Sequence, residues 1–115
     1  MPLTMHDREQ AFEAKFAHDE EFRFLVSARR DKLFARWAAT KLHLADEAAA
    51  DLAKSVLAIP DRLDHDQAML TRIAHTLAEH GYPADVTELA VVLDDTAREA
   101  RRQLLETPTE HPGAP

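Results

Sequence analysis

Only two glycines occur in 115 residues, and the six prolines sit near segment edges. Those two residue types interrupt helices most readily, so their scarcity leaves long stretches free to run as helix. Nothing alternates with period two, as a half-buried strand would. Alanine, leucine, glutamate and arginine dominate, and all four are good helix formers. The expected fold class is all-α.

Four helices can be placed from apolar spacing and end signals. The first spans about Asp7 to Leu42, with Asp7 as cap and Gln10 at the third helical position. The second spans about Asp46 to Ile59, stopped by Pro60, with an apolar stripe of Ala48, Ala49, Leu52, Val56 and Ile59. The third spans about Asp64 to His80. Met69, Leu70, Ile73 and Leu77 face inward, and Gly81 supplies the terminating glycine. The fourth spans about Asp85 to Glu106, with Asp85 and Glu88 as a capping pair and Val86, Leu89, Ala90, Leu93, Ala97, Ala100 and Leu104 on one face. Short links at 43–45, 60–63 and 81–84 favour antiparallel neighbours, so a four-helix bundle is expected over residues 20–106. The segment 107–115, "TPTEHPGAP", is expected to be a disordered tail.

The first helix is too long for such a bundle. About 36 residues make a rod of roughly 54 Å, whereas the fourth helix reaches only about 33 Å. The short link after Leu42 ties its C-terminal end to the bundle, so the excess projects at the N-terminal end. At about 100° per residue, Phe12, Phe16, Phe22, Val26, Leu33, Phe34 and Trp37 fall within an arc of about 120°. Phe12 and Phe16 therefore continue the core stripe past the point where other helices can cover it. Leaving them wet forgoes roughly 1.5–3 kcal/mol each, and such an uncovered stripe is a candidate binding face. Glu9 repels Glu13 at helical spacing, and so short a free segment is a marginal helix. Residues 1–19 are thus expected to form a mobile arm with firm helix beginning at about Asp19.

Charge and composition narrow the function. The net charge is −7, which disfavours phosphate backbones and anionic lipid as partners. The absence of cysteine removes disulfides and thiol chemistry. No apolar run approaches the roughly 20 residues that span a bilayer, and the first residues lack a signal-peptide pattern. A cytoplasmic protein is expected.

The stretches "DREQAFEAKFAHDEEFRF" and "ARRDKLFARWAATKL" resemble the signature of the zeta subunit, the ATPase inhibitor of alphaproteobacterial F-type ATP synthases. The likeness covers about Asp7 to Leu42. It departs at Phe22, Leu25, Val26 and Ser27, at Asp31 where the family usually has asparagine, and after Leu42. The resemblance implies a small four-helix protein whose N-terminal arm inserts as a helix at a catalytic interface between the α and β subunits of the ATPase head, and so blocks ATP hydrolysis. It implies partner-binding residues Asp7, Arg8, Phe12, Glu13, Lys15, Phe16, His18 and Asp19. It further implies the central rotor subunit as a neighbour, a monomeric free state, no cofactor, and a location peripheral to the inner membrane through the ATP synthase.

Other constellations carry less. "DRLDHDQ" holds Asp61, Asp64, His65 and Asp66. It lacks the glycine and glutamate of a calcium-binding loop, and carboxylates before a helix usually serve its N-terminus; capping is expected there. His43 and His80 lie at helix ends, where a cation suits the dipole. His18 is flanked by Asp19, Glu20 and Glu21, which favour its charged form; it is a solvated histidine or a proton switch on the arm. Trp37 is expected in the core. No phosphate-cradling glycine loop and no nucleophile–base order suggests an enzyme. The competing readings are a helical adaptor or homodimer that pairs arm to arm, and a metal-dependent enzyme built on Asp61–Asp66.

Overall fold

The computed structural model describes the backbone of residues 5–106 and the side chains of residues 19–106. The described chain forms four helices: α1 (Met5–Lys41), α2 (Asp46–Leu57), α3 (His65–Glu79) and α4 (Val86–Glu106). Every boundary lies within two residues of its sequence-derived position. The mobile arm expected over residues 1–19 and the disordered tail from Thr107 concern features outside the described residues; of the arm, the helical backbone of residues 5–18 and the residue Asp19 are described.

Helix ends follow from local chemistry. Asp85 caps α4: its Oδ1 accepts from the Glu88 N–H at 2.8 Å, as the capping pair required. Gly81 closes α3 with φ of 83°. There the Tyr82 N–H donates to the Leu77 carbonyl and the Gly81 N–H to that of Ala78, a Schellman motif. The end of α1 is built the same way without glycine. His43 takes φ of 53°, while the Leu44 N–H donates to the Ala39 carbonyl at 3.0 Å and the His43 N–H to that of Thr40 at 3.1 Å. Two expected caps are corrected. Asp7, expected to cap α1, lies inside that helix, which begins at Met5. Asp64 stands at the N-cap of α3 but makes no capping hydrogen bond; its backbone, at φ −94° and ψ 9°, is outside the extended region from which a capping side chain reaches the first N–H groups.

Among the described residues, α1 packs on each of the other helices, most extensively on α4 and α2. Phe34, Ala35, Ala38 and Ala39 of α1 meet Leu52 and Val56 of α2, Met69, Leu70, Ile73 and Leu77 of α3, and Leu89 and Leu93 of α4. The three alanines on α1 keep its surface low where neighbours approach. Phe34, Ile73 and Leu77 are fully buried, each stabilising the fold by about 1.5–3 kcal/mol. Two sequence assignments shift. Ala48 is exposed, and the buried face of α2 runs instead through Ala49, Leu52, Ala53 and Val56, the i, i+3, i+4, i+7 spacing of one helix face. Trp37 is half-buried on the rim. It stacks on Phe34 with ring centroids 6.1 Å apart, and the Lys41 ammonium lies 5.6 Å from its ring.

The molecule is elongated. Its radius of gyration is 18.0 Å, against about 13 Å for a compact domain of this length, and its principal extents are 64 × 30 × 21 Å. With 37 residues in α1 and 21 in α4, the first rod is about 56 Å long and the second about 32 Å. The difference is the part of α1 that the bundle cannot flank.

Candidate partner-binding face

Helix α4 runs antiparallel to α1, so its C-terminal end marks where the cover over α1 stops. Near that end the Arg101 guanidinium sits 5.5 Å above the Phe22 ring, and Arg29 donates to Gln103 at 3.1 Å. Upstream of Phe22, α1 continues to Met5, about 25 Å of further helix axis. The core stripe of α1 is visible up to this boundary: Phe34 is buried, and Leu33, Val26 and Phe22 are half-buried.

Of the site residues expected from sequence, Asp19 has a described side chain, and it is exposed. Asp7, Arg8, Phe12, Glu13, Lys15, Phe16 and His18 fall on the helical backbone of α1, with side chains outside the described residues. Glu20 and Glu21 are exposed beside Asp19, so the root of the extension carries an acidic collar. Just below it, Phe24, Leu57, Ile59 and Leu63 line a groove of about 420 Å³ between α1 and the α2–α3 link. Phe24 is 63% exposed and Leu63 fully so, which leaves apolar area wet at the same end of the bundle.

A polar network borders this groove. Asp31 is the one buried charged residue among the described residues. Its Oδ2 lies 2.7 Å from His65 Nε2, and its Oδ1 accepts from Arg30 Nε at 2.9 Å. Arg30 continues to Asp66, donating at 2.7 and 3.2 Å to the two carboxylate oxygens. Burial opposes the charge on Arg30, but Asp66 and Asp31 together raise its pKa above the usual arginine value. Burial likewise opposes a charge on His65. The hydrogen bonds to Asp31 and to the Pro60 carbonyl, with the charges of Asp31 and Asp66, outweigh it and raise the imidazole pKa.

Sequence reasoning missed this network, although one signal was present. Asp31 precedes Phe34, Ala35 and Ala38 by three, four and seven residues, so a carboxylate occupies the core face of α1. The "DRLDHDQ" residues do not converge on a common point. His65 turns to Asp31 and Asp66 to Arg30. Among the described residues no three carboxylate or imidazole side chains are placed to hold a metal ion, and no helix is long and apolar enough to cross a membrane. At the other end of α3, His80 Nδ1 donates to the Thr76 carbonyl at 2.8 Å.

No curated protein and no solved structure is significantly similar to the chain. One family model, described as ATPase inhibitor subunit zeta, matches residues 2–103. The match therefore extends beyond the recognisable first helix and through α2, α3 and most of α4.

Proposed function

The chain belongs to the family of ATPase inhibitor subunit zeta, and from that membership we propose that it inhibits an F-type ATPase by inserting the N-terminal part of α1, as a helix, at an interface between catalytic α and β subunits. The observation that carries this reading is the reach of α1 to Met5, well past the end of α4. A catalytic interface opens and closes as each ATP is hydrolysed. A helix wedged in it holds one conformation and stops the cycle. Phe12 and Phe16 are the anchors, because they continue the apolar stripe that the bundle buries further along. Arg8 and Lys15 pair with acidic groups of the head, and Asp7, Glu13, His18 and Asp19 form a polar rim. The central rotor subunit is a further neighbour at the depth the arm reaches. The free chain is monomeric, and its arm passes between open and helical forms until docking holds it helical. Ordering on binding costs free energy that the buried aromatics must offset.

The test is direct. Purified protein is added to the isolated ATPase head and hydrolysis is followed. Inhibition is expected from the intact chain. Phe12→Ala and Phe16→Ala each weaken docking by about 2 kcal/mol or more, whereas Glu9→Ala and Glu13→Ala change it little, since buried aromatic anchors dominate and rim charges do not. Equal losses from all four substitutions would refute the anchor assignment.

A further inference from the structure

The His65 ring is held at both nitrogens. Nε2 lies 2.7 Å from Asp31 Oδ2, and Nδ1 lies 3.1 Å from the carbonyl oxygen of Pro60. Carboxylate and carbonyl oxygens only accept hydrogen bonds, and a neutral imidazole has one N–H to give. A neutral ring would leave one nitrogen lone pair facing an acceptor. The doubly protonated ring donates to both.

The surroundings favour that form. Arg30 occupies the other oxygen of Asp31, which keeps the carboxylate oriented toward the ring. The charged groups around the ring are Arg30 and Asp31 on α1, Asp61 and Arg62 in the α2–α3 link, and Asp66 on α3. The side chains of Asp31 and His65 are 7% and 12% exposed, so water is a poor substitute for the contact between them, whereas the contact to the Pro60 carbonyl is open to solvent. The link itself is lightly held. Within it the Arg62 N–H donates to the Pro60 carbonyl and the His65 N–H to that of Arg62, while Leu63 stands fully in solvent.

We propose that Asp31 and His65 form a proton-operated clasp. With the ring doubly protonated, the clasp fastens the α2–α3 link and the start of α3 to α1. When one proton leaves to solvent, the ring keeps its N–H toward Asp31, the Pro60 carbonyl loses its imidazole donor and keeps only the Arg62 N–H, and the link loosens. The groove beside Phe24, Leu57 and Leu63 changes shape with it, at the end of the bundle from which α1 projects. The clasp operates within this chain and is independent of whether the arm enters an ATPase. His65 gains its partners on folding, and its pKa rises with them. The stability it contributes is therefore present in full below the unfolded imidazole value of about 6.5. It is lost as pH rises through the higher folded value.

The test uses the full chain, with imidazole titration and amide exchange followed by nuclear magnetic resonance at pH 6 and pH 8. In the unaltered protein His65 titrates above the ordinary value. Exchange at residues 61–66, corrected for intrinsic rates, is several-fold slower at pH 6 than at pH 8. In Asp31→Asn the titration falls back to the ordinary value or below, and in both Asp31→Asn and His65→Gln the pH difference in protection disappears. Should Asp31→Asn fail to fold, His65→Gln decides the matter alone, since it preserves size and removes the titration. Titration of His65 at or below the ordinary value in the unaltered protein, equal protection at both pH values, or a pH difference that survives in His65→Gln would each overturn the clasp.

Discussion

His43 and Gly81 do the same job at the ends of α1 and α3, and the comparison isolates what a side chain costs there. Both sit at the left-handed position of a Schellman motif, with φ of 53° and 83°. Glycine occupies this region freely, while a Cβ is crowded. His43→Gly is expected to stabilise the fold by about 0.5–1 kcal/mol, and Gly81→Ala to destabilise it by about 1 kcal/mol, since no neighbouring atom crowds an added Cβ at Gly81 and backbone strain is then the main term. Midpoints of urea unfolding check both; a gain from Gly81→Ala would show that the strain is relieved elsewhere. Gly81 was legible in the sequence because the residue type announces the turn. The turn at His43 was not, because nothing in "KLHLAD" marks a positive φ, and the hydrogen bonds of Leu44 and His43 appear only once the chain is folded. Asp31 and His65 were illegible for a different reason. They are 34 positions apart, and their meeting depends on the register of α1 against α3, which local periodicity does not fix.

Among the elements, α4 was read most fully from sequence, since strong helix formers, a cap and a single apolar stripe all agree there, whereas on α1 the Asp7 cap was misplaced and the buried Asp31 was missed. In α2 the stripe was placed with Ala48 included. Alanine carries too little apolar area to decide which side of a helix turns inward, so the packing of Leu52 and Val56 set the rotation. The proposed role of α1 requires one unbroken rod from bundle to arm, and that can be tested where the two meet. Glu21 is exposed and lies just outside the packed region that begins at Phe22. Glu21→Pro removes one backbone N–H and clashes with the carbonyl four residues back, a cost of about 3 kcal/mol in a helix interior. The bundle should keep its melting temperature within a few degrees, while inhibition weakens markedly. Glu21→Ala is the control and should leave both unchanged. If Glu21→Pro inhibits as well as the unaltered chain, the arm acts as a flexible tether and the continuity of α1 is irrelevant.

At the scale of the whole molecule, the sequence carried the argument for a rod longer than its bundle, because helix length follows from residue count alone. What it could not supply was the surface at the root of that rod, where Phe24, Leu57 and Leu63 come from three separate segments and meet only in the folded chain. The division of labour that results is simple. In the proposal, residues from about Phe22 onward make the stable body and the N-terminal part of α1 makes the inhibitor. Deleting residues 1–17 separates the two most directly, with melting temperature and hydrolysis by the isolated ATPase head measured on the same preparations. The truncated chain is expected to melt within a few degrees of the full chain and to leave hydrolysis uninhibited. Inhibition that persists undiminished after truncation, or a melting transition that collapses with it, would contradict the account.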